Sequence, residues 1–135
     1  MRTVDEPIPD AEDLYRALHP DHVQYGKIVG AAISLPVCCV ARSKYGAPDV
    51  PLIQQRPADN GIGVTTRAQL PPGESVHDVQ YELDVRHTPE QGPAHAEIQL
   101  LRASDRRFCS SSAAKQVFRE KIANRFEVHT PPKPI

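Results

Sequence analysis

The chain has 135 residues, 16 basic against 17 acidic side chains, a net charge of −1 and 39% apolar residues. That length suits one domain with a core of its own. The near-neutral balance argues against general nucleic-acid binding, and no apolar run nears the ~20 residues of a membrane span.

The opening Met1-Arg2-Thr3-Val4-Asp5-Glu6-Pro7 lacks the apolar core of a secretory leader. Three cysteines, two of them adjacent at Cys38 and Cys39, read as reduced thiols rather than a disulfide framework. The expected compartment is therefore the cytoplasm. Residues 1–10, polar and proline-bearing, read as a loose N-terminal arm. A single α+β domain is expected over 11–128, and a proline-rich tail over 129–135.

From Asp10 to Leu18 two readings stand side by side. Asp10 suits an N-cap with Glu12 and Asp13 in the first turn of a short helix, which would put Leu14, Tyr15 and Leu18 on one face. A strand would instead place Leu14, Arg16 and Leu18 on one side. Pro20 ends either element. His19-Pro20-Asp21-His22 holds two imidazoles and a carboxylate, a possible ligand set, but the proline interrupts any regular face and a solvated turn is the plainer reading. No metal or cofactor is assigned.

Val37 to Ala41 is rich in strand formers and short enough for a buried strand. Residues 42–60 carry Gly46, Pro48, Pro51 and Pro57 and read as a long loop, broken around Val50 to Gln54. Gly61 to Thr66 reads as a strand, and Pro71-Pro72-Gly73 as a turn.

The clearest pattern follows. Val79, Tyr81, Leu83 and Val85 alternate with Gln80, Glu82, Asp84 and Arg86. After Thr88 to Pro93, Ala94, Ala96, Ile98 and Leu100 alternate with His95, Glu97, Gln99 and Leu101. Two such runs predict an antiparallel hairpin, with a loop too proline-rich for a two-residue turn. Arg102, Arg106 and Arg107 form the one basic cluster and read as a solvated turn. Ser110 to Ser112 offer an N-cap, and Ala114, Val117, Phe118, Lys121 and Ile122 recur at helical spacing. The predicted fold is thus α+β: a small, mostly antiparallel sheet with a C-terminal helix packed on it.

His95-Ala96-Glu97 is the chemical centre of this reading. Two residues apart on a strand, imidazole and carboxylate share a face. The same triplet begins the zinc deaminase signature, but the Pro-Cys-x-x-Cys half is missing and the stretch reads as strand, so that chemistry is set aside. Cys39 sits in an apolar run, where burial makes a thiol inert; Cys109, beside Arg106 and Arg107, is the better nucleophile candidate but stays a minor one, and the serines lack a Gly-x-Ser-x-Gly elbow. A site needs convergence, so the working candidate joins His95 and Glu97, as catalytic pair, to Tyr15, Arg16 and His19, as ligand clamp.

Four stretches, in order, resemble a set of small bacterial proteins with no assigned activity: Leu14-Tyr15-Arg16-Ala17-Leu18-His19-Pro20, Val29 to Ile33, Gly61 to Ala68, and Gly92-Pro93-Ala94-His95-Ala96-Glu97-Ile98. Here Ala17 stands where those proteins have a second arginine, and Thr65-Thr66 lacks their carboxylate. The resemblance groups Tyr15, Arg16, His19, His95 and Glu97 without supplying a reaction. A more distant pattern likeness is to ADP-ribosyltransferase-like folds. The expectation for function is a binding or accessory protein of the bacterial cytosol that acts with a protein partner or as a homo-oligomer. The alternative is a small enzyme or effector acting on a nucleotide-like or anionic substrate.

Overall fold

The chain order is β1 (Asp13–Leu18), the two-residue strands β2 (Val23–Gln24) and β3 (Lys27–Ile28), β4 (Val37–Arg42), β5 (Gly61–Thr66), β6 (Glu74–Val76), β7 (Val79–His87), β8 (His95–Arg102), helix α1 (Ser112–Ala123) and β9 (Glu127–Thr130). This computed structural model describes residues 6–45 and 61–132. Seven strands make one sheet in the order β6-β7-β8-β4-β1-β5-β9, and β2 with β3 forms a separate hairpin. Every pairing is antiparallel. The mostly antiparallel sheet and the helix near the C-terminus, the one α-helix among the described residues, agree with the α+β expectation.

The β7–β8 hairpin forms as the alternation predicts, in register from Tyr81 opposite Arg102 to His87 opposite Ala96. Its connection is a 3-10 turn over Pro89–Gln91 closed by Gly92 at φ 137°, a backbone region that glycine enters without a Cβ penalty. The helix starts where the serines suggest: the Ser111 hydroxyl accepts the Ala114 N–H at 3.2 Å. Its buried residues Ala114, Phe118, Ile122 and Ala123 belong to one apolar cluster with Leu14, Leu18, Val40, Ile98 and Leu100 from the strands.

Residues 13–18 are a strand, which overturns the helical alternative. The acidic run that imitates a capped first turn is outweighed by pairing on both sides, with β5 along its whole length and with β4 at Leu14 and Tyr15. Asp10 caps nothing; its carbonyl accepts the Ala68 N–H. In the segment read as a loose arm, Ile8 is buried at 4% exposure and Glu6 is engaged by side chains described below. In the segment read as a tail, His129 and Thr130 belong to β9, with Thr130 opposite Ile62. Of the loop expected over 42–60, Arg42 ends β4 and Ser43–Tyr45 form a 3-10 turn; Val50 to Gln54 lie outside the described residues. Among the described residues no helix is long and apolar enough to cross a membrane.

Cross-strand pairs sort the sheet into two faces. Leu14, Arg16 and Leu18 share the core face with Cys38, Val40, Arg42, Ile98 and Leu100. The outer face carries Tyr15 and Ala17 on β1, Cys39 and Ala41 on β4, His95, Glu97 and Gln99 on β8, and Glu82, Asp84 and Arg86 on β7.

Candidate functional site

His95 opens β8 on the outer face and is buried, at 3% exposure. Its Nδ1 is hydrogen-bonded to the Thr88 hydroxyl across the mouth of the hairpin, and the Thr88 N–H donates to the His95 carbonyl at 2.9 Å. The side-chain bond orients the ring, and the backbone bond closes the hairpin beside it. Burial pulls the His95 pKa below the usual imidazole value; Glu97 and Glu90 oppose that shift without reversing it.

Two residues on, Glu97 is half-buried. Its Oε1 accepts from the Gln99 amide at 3.0 Å and its Oε2 from the Gln91 amide at 3.2 Å. On β7 the directly opposed residue is Arg86, and on β4 it is Cys39. The carboxylate is thus oriented by neutral donors from both ends. Gln99 was not among the sequence candidates, although its period-2 spacing from His95 and Glu97 marks it as the third member of their row. Next to it, Asp84 accepts from Arg67 at 3.2 Å and from Arg106 at 2.9 Å, and Arg106 also pairs with Glu82. Arg102 pairs with Asp105 inside the same turn, so the basic cluster is largely neutralised by its own neighbours.

Tyr15 lies on the outer face as well, in line with Ala41 and His95. Two inter-strand steps separate it from His95, roughly 10 Å between backbones. Burial, followed by the Asp13 carboxylate, raises the Tyr15 pKa, and its ring meets His129 edge-on at 5.6 Å.

Arg16 does not join them. It points to the core face, where its Nε donates to the Ala32 carbonyl at 2.7 Å and its Nη1 to the Cys39 carbonyl at 2.8 Å. His19 sits at the N-cap of the 3-10 turn Pro20–His22. Its Nδ1 accepts the Asp21 N–H at 3.2 Å, and its own N–H donates to His22 Nδ1 at 3.1 Å. The clamp expected from Arg16 and His19 is therefore two structural devices: one arginine bonding two backbone carbonyls and one self-capped turn. Among the described residues no group of three or more His, Cys, Asp or Glu side chains could hold a metal.

A second polar cluster had no sequence candidate. Arg42 is fully buried on the core face. Its Nε and Nη2 meet the two Glu12 oxygens at 2.7 and 2.8 Å, and its Nη1 meets Glu6 at 2.9 Å. Lys44 and the Tyr45 hydroxyl also hold Glu6, and with Arg42 they bring its pKa to about 2. The Tyr45 ring stacks on His87 at 5.6 Å and 10°.

The burial of His95 carries a pH signature. Its folded pKa lies below the ordinary 6.5, so as pH falls the unfolded chain takes up a proton before the folded one does. The stabilisation is complete above pH 6.5 and declines as the pH drops from there toward the folded value. Urea midpoints are expected to fall between pH 7.5 and 5.5, and His95→Gln should flatten that slope; an unchanged slope in the variant would remove His95 as its source. No protein-family model, curated protein or solved structure matches this chain, so its site is read from its own geometry alone.

Proposed function

We propose that this chain is a small binding or accessory protein of the bacterial cytosol that recognises a protein partner through the β7–β8 part of the outer face of its sheet, where Glu82, Asp84, Arg86 and Glu97 reach solvent, with the helix packed behind the other face as support. The observation that carries the reading is Glu97: a half-buried carboxylate is held by the Gln91 and Gln99 amides beside a buried, tied imidazole, so an acceptor stands pre-set on an element that cannot easily move. The sheet edges favour a face over strand addition. Edge strand β6 has three residues and follows Pro71-Pro72, while β9 has four and runs into Pro131-Pro132. Three free cysteines suit a reducing compartment. The likeness to small bacterial proteins sharing the Leu-Tyr-Arg and Pro-Ala-His-Ala-Glu segments belongs to the same proposal.

The test is capture of the partner by the tagged full chain after mild crosslinking in its own cells. Glu97→Ala is expected to lower the yield about tenfold or more, as an interface residue of hot-spot grade does, while leaving the thermal midpoint nearly unchanged. Equal capture by wild type and variant would contradict the reading.

A second reading rests on His95 alone: an imidazole kept neutral by burial and set two residues from a carboxylate is a suitable general base. That enzyme or effector would act on a nucleotide-like or anionic substrate without the Arg16 clamp. It predicts that His95→Gln abolishes function where Glu97→Ala only weakens it.

A further inference from the structure

The hairpin of β2 and β3 carries Tyr25 at its tip, a large aromatic side chain fully open to solvent. Tyr25 and Gly26 form the turn, at φ 52° and 76°. Both are left-handed, as a two-residue hairpin turn of the primed type requires, and tyrosine enters that region less readily than asparagine or glycine. The hairpin is anchored from below. Ile28 is buried, and its Cδ1 lies so close to Gly63 on β5 that a Cβ there would come within 2.9 Å of it. The Val29 N–H continues the hairpin by donating to the His22 carbonyl at 3.0 Å. Tyr25 is thus a knob on a braced support.

Beside the knob lies a surface hollow of 540 Å³, lined among others by Gly26, Lys27, Ile28, Phe126, Glu127 and Val128. Lys27 and Glu127 are exposed, border the same hollow, and have no ion-pair partner among the described residues. Among the described residues Arg42, Lys44, Arg67, Arg102, Arg106, Arg107 and Lys121 all meet carboxylates.

We infer that this knob, hollow and pair of opposite charges form a self-complementary interface through which two copies of the chain associate about a two-fold axis. A two-fold contact needs a projection and its receptor side by side on one surface, and Tyr25 adjoins the hollow. In that arrangement each Tyr25 ring enters the partner's hollow, its body against the half-buried Val128 and its hydroxyl toward the polar groups that make up most of the lining. Each Lys27 faces the partner's Glu127, so both unpaired charges are matched twice over. The inference is independent of the proposed role of the outer sheet face, and its failure leaves that role standing.

Sedimentation equilibrium of the full chain from about 10 μM to about 1 mM tests it. The wild type is expected to form a reversible dimer. Tyr25→Asn, which eases the turn and removes the ring, should weaken association about 30-fold or more, as loss of a central aromatic anchor does. Lys27→Glu and Glu127→Lys each place like charges across the axis, so each variant alone should be monomeric. Mixed in equal amounts, K27E and E127K chains should pair, because every charge contact in the mixed dimer is again between opposite signs. A wild type monomeric throughout this range, a dimer that Y25N leaves unchanged, or charge variants that fail to pair on mixing would each overturn the proposal.

Discussion

Arg42→Met is expected to cost about 3–5 kcal/mol of folding stability, the range for breaking a buried ion pair from one side. The guanidinium has no exposed surface, and the Glu12 side chain that receives two of its hydrogen bonds is only 9% exposed. Methionine fills much of the volume but leaves the Glu12 carboxylate charged and buried without its partner. Glu6 suffers less, because Lys44 and Tyr45 still hold it at the surface. The double variant with Glu12→Leu removes both charges and should recover much of the loss, giving a coupling of about 2 kcal/mol or more in a double-mutant cycle. Urea unfolding of the four proteins checks this. A loss under about 1 kcal/mol for the single variant would mean that the cluster is solvated rather than buried.

Arg16→Leu should destabilise the chain by about 2–4 kcal/mol, because two carbonyls lose their donor and at least one lies deep in the fold. The Ala32 carbonyl belongs to the 3-10 turn Gly30–Ala32, and the Cys39 carbonyl lies in β4, so Arg16 fastens that turn to the sheet. A structural arginine and a ligand clamp predict different patterns. In the structural case, Arg16→Leu lowers the unfolding midpoint while the folded fraction still captures its partner as the wild type does. Loss of capture at unchanged stability would return Arg16 to the site.

The parts of the fold legible in the sequence are those governed by local periodicity. The alternation from Val79 to Val85 and from Ala94 to Leu101 gives a hairpin whose observed register keeps every apolar residue of β7 on the core face. Ser111 and the spacing of Ala114, Phe118 and Ile122 place the helix within a residue or two. Residues 10–18 resisted because Asp10, Glu12 and Asp13 imitate a capped helix start; only long-range pairing, to β4 and to β5 (Asp13 opposite Thr66), decides between the elements. The strand alternative nevertheless contained the answer for Arg16, since period two groups it with Leu14 and Leu18, away from Tyr15 and from His95. The Arg42 cluster was out of reach. Its carboxylates lie 30 and 36 residues away along the chain, and no local pattern announces a charge pair of that separation. One hint was present: Arg42 continues the period of Cys38 and Val40, the buried side of β4.

Recognition through the outer face of the sheet is tested most directly by site-directed photocrosslinking in cells. A photoreactive residue in place of Glu82, on that face, is to be compared with one in place of Lys115, on α1. The outer-face position should give a discrete adduct with one partner protein, lost when Glu97→Ala is added, and the helix position should give none. An adduct from the helix position alone, or outer-face adducts indifferent to Glu97→Ala, would contradict the account.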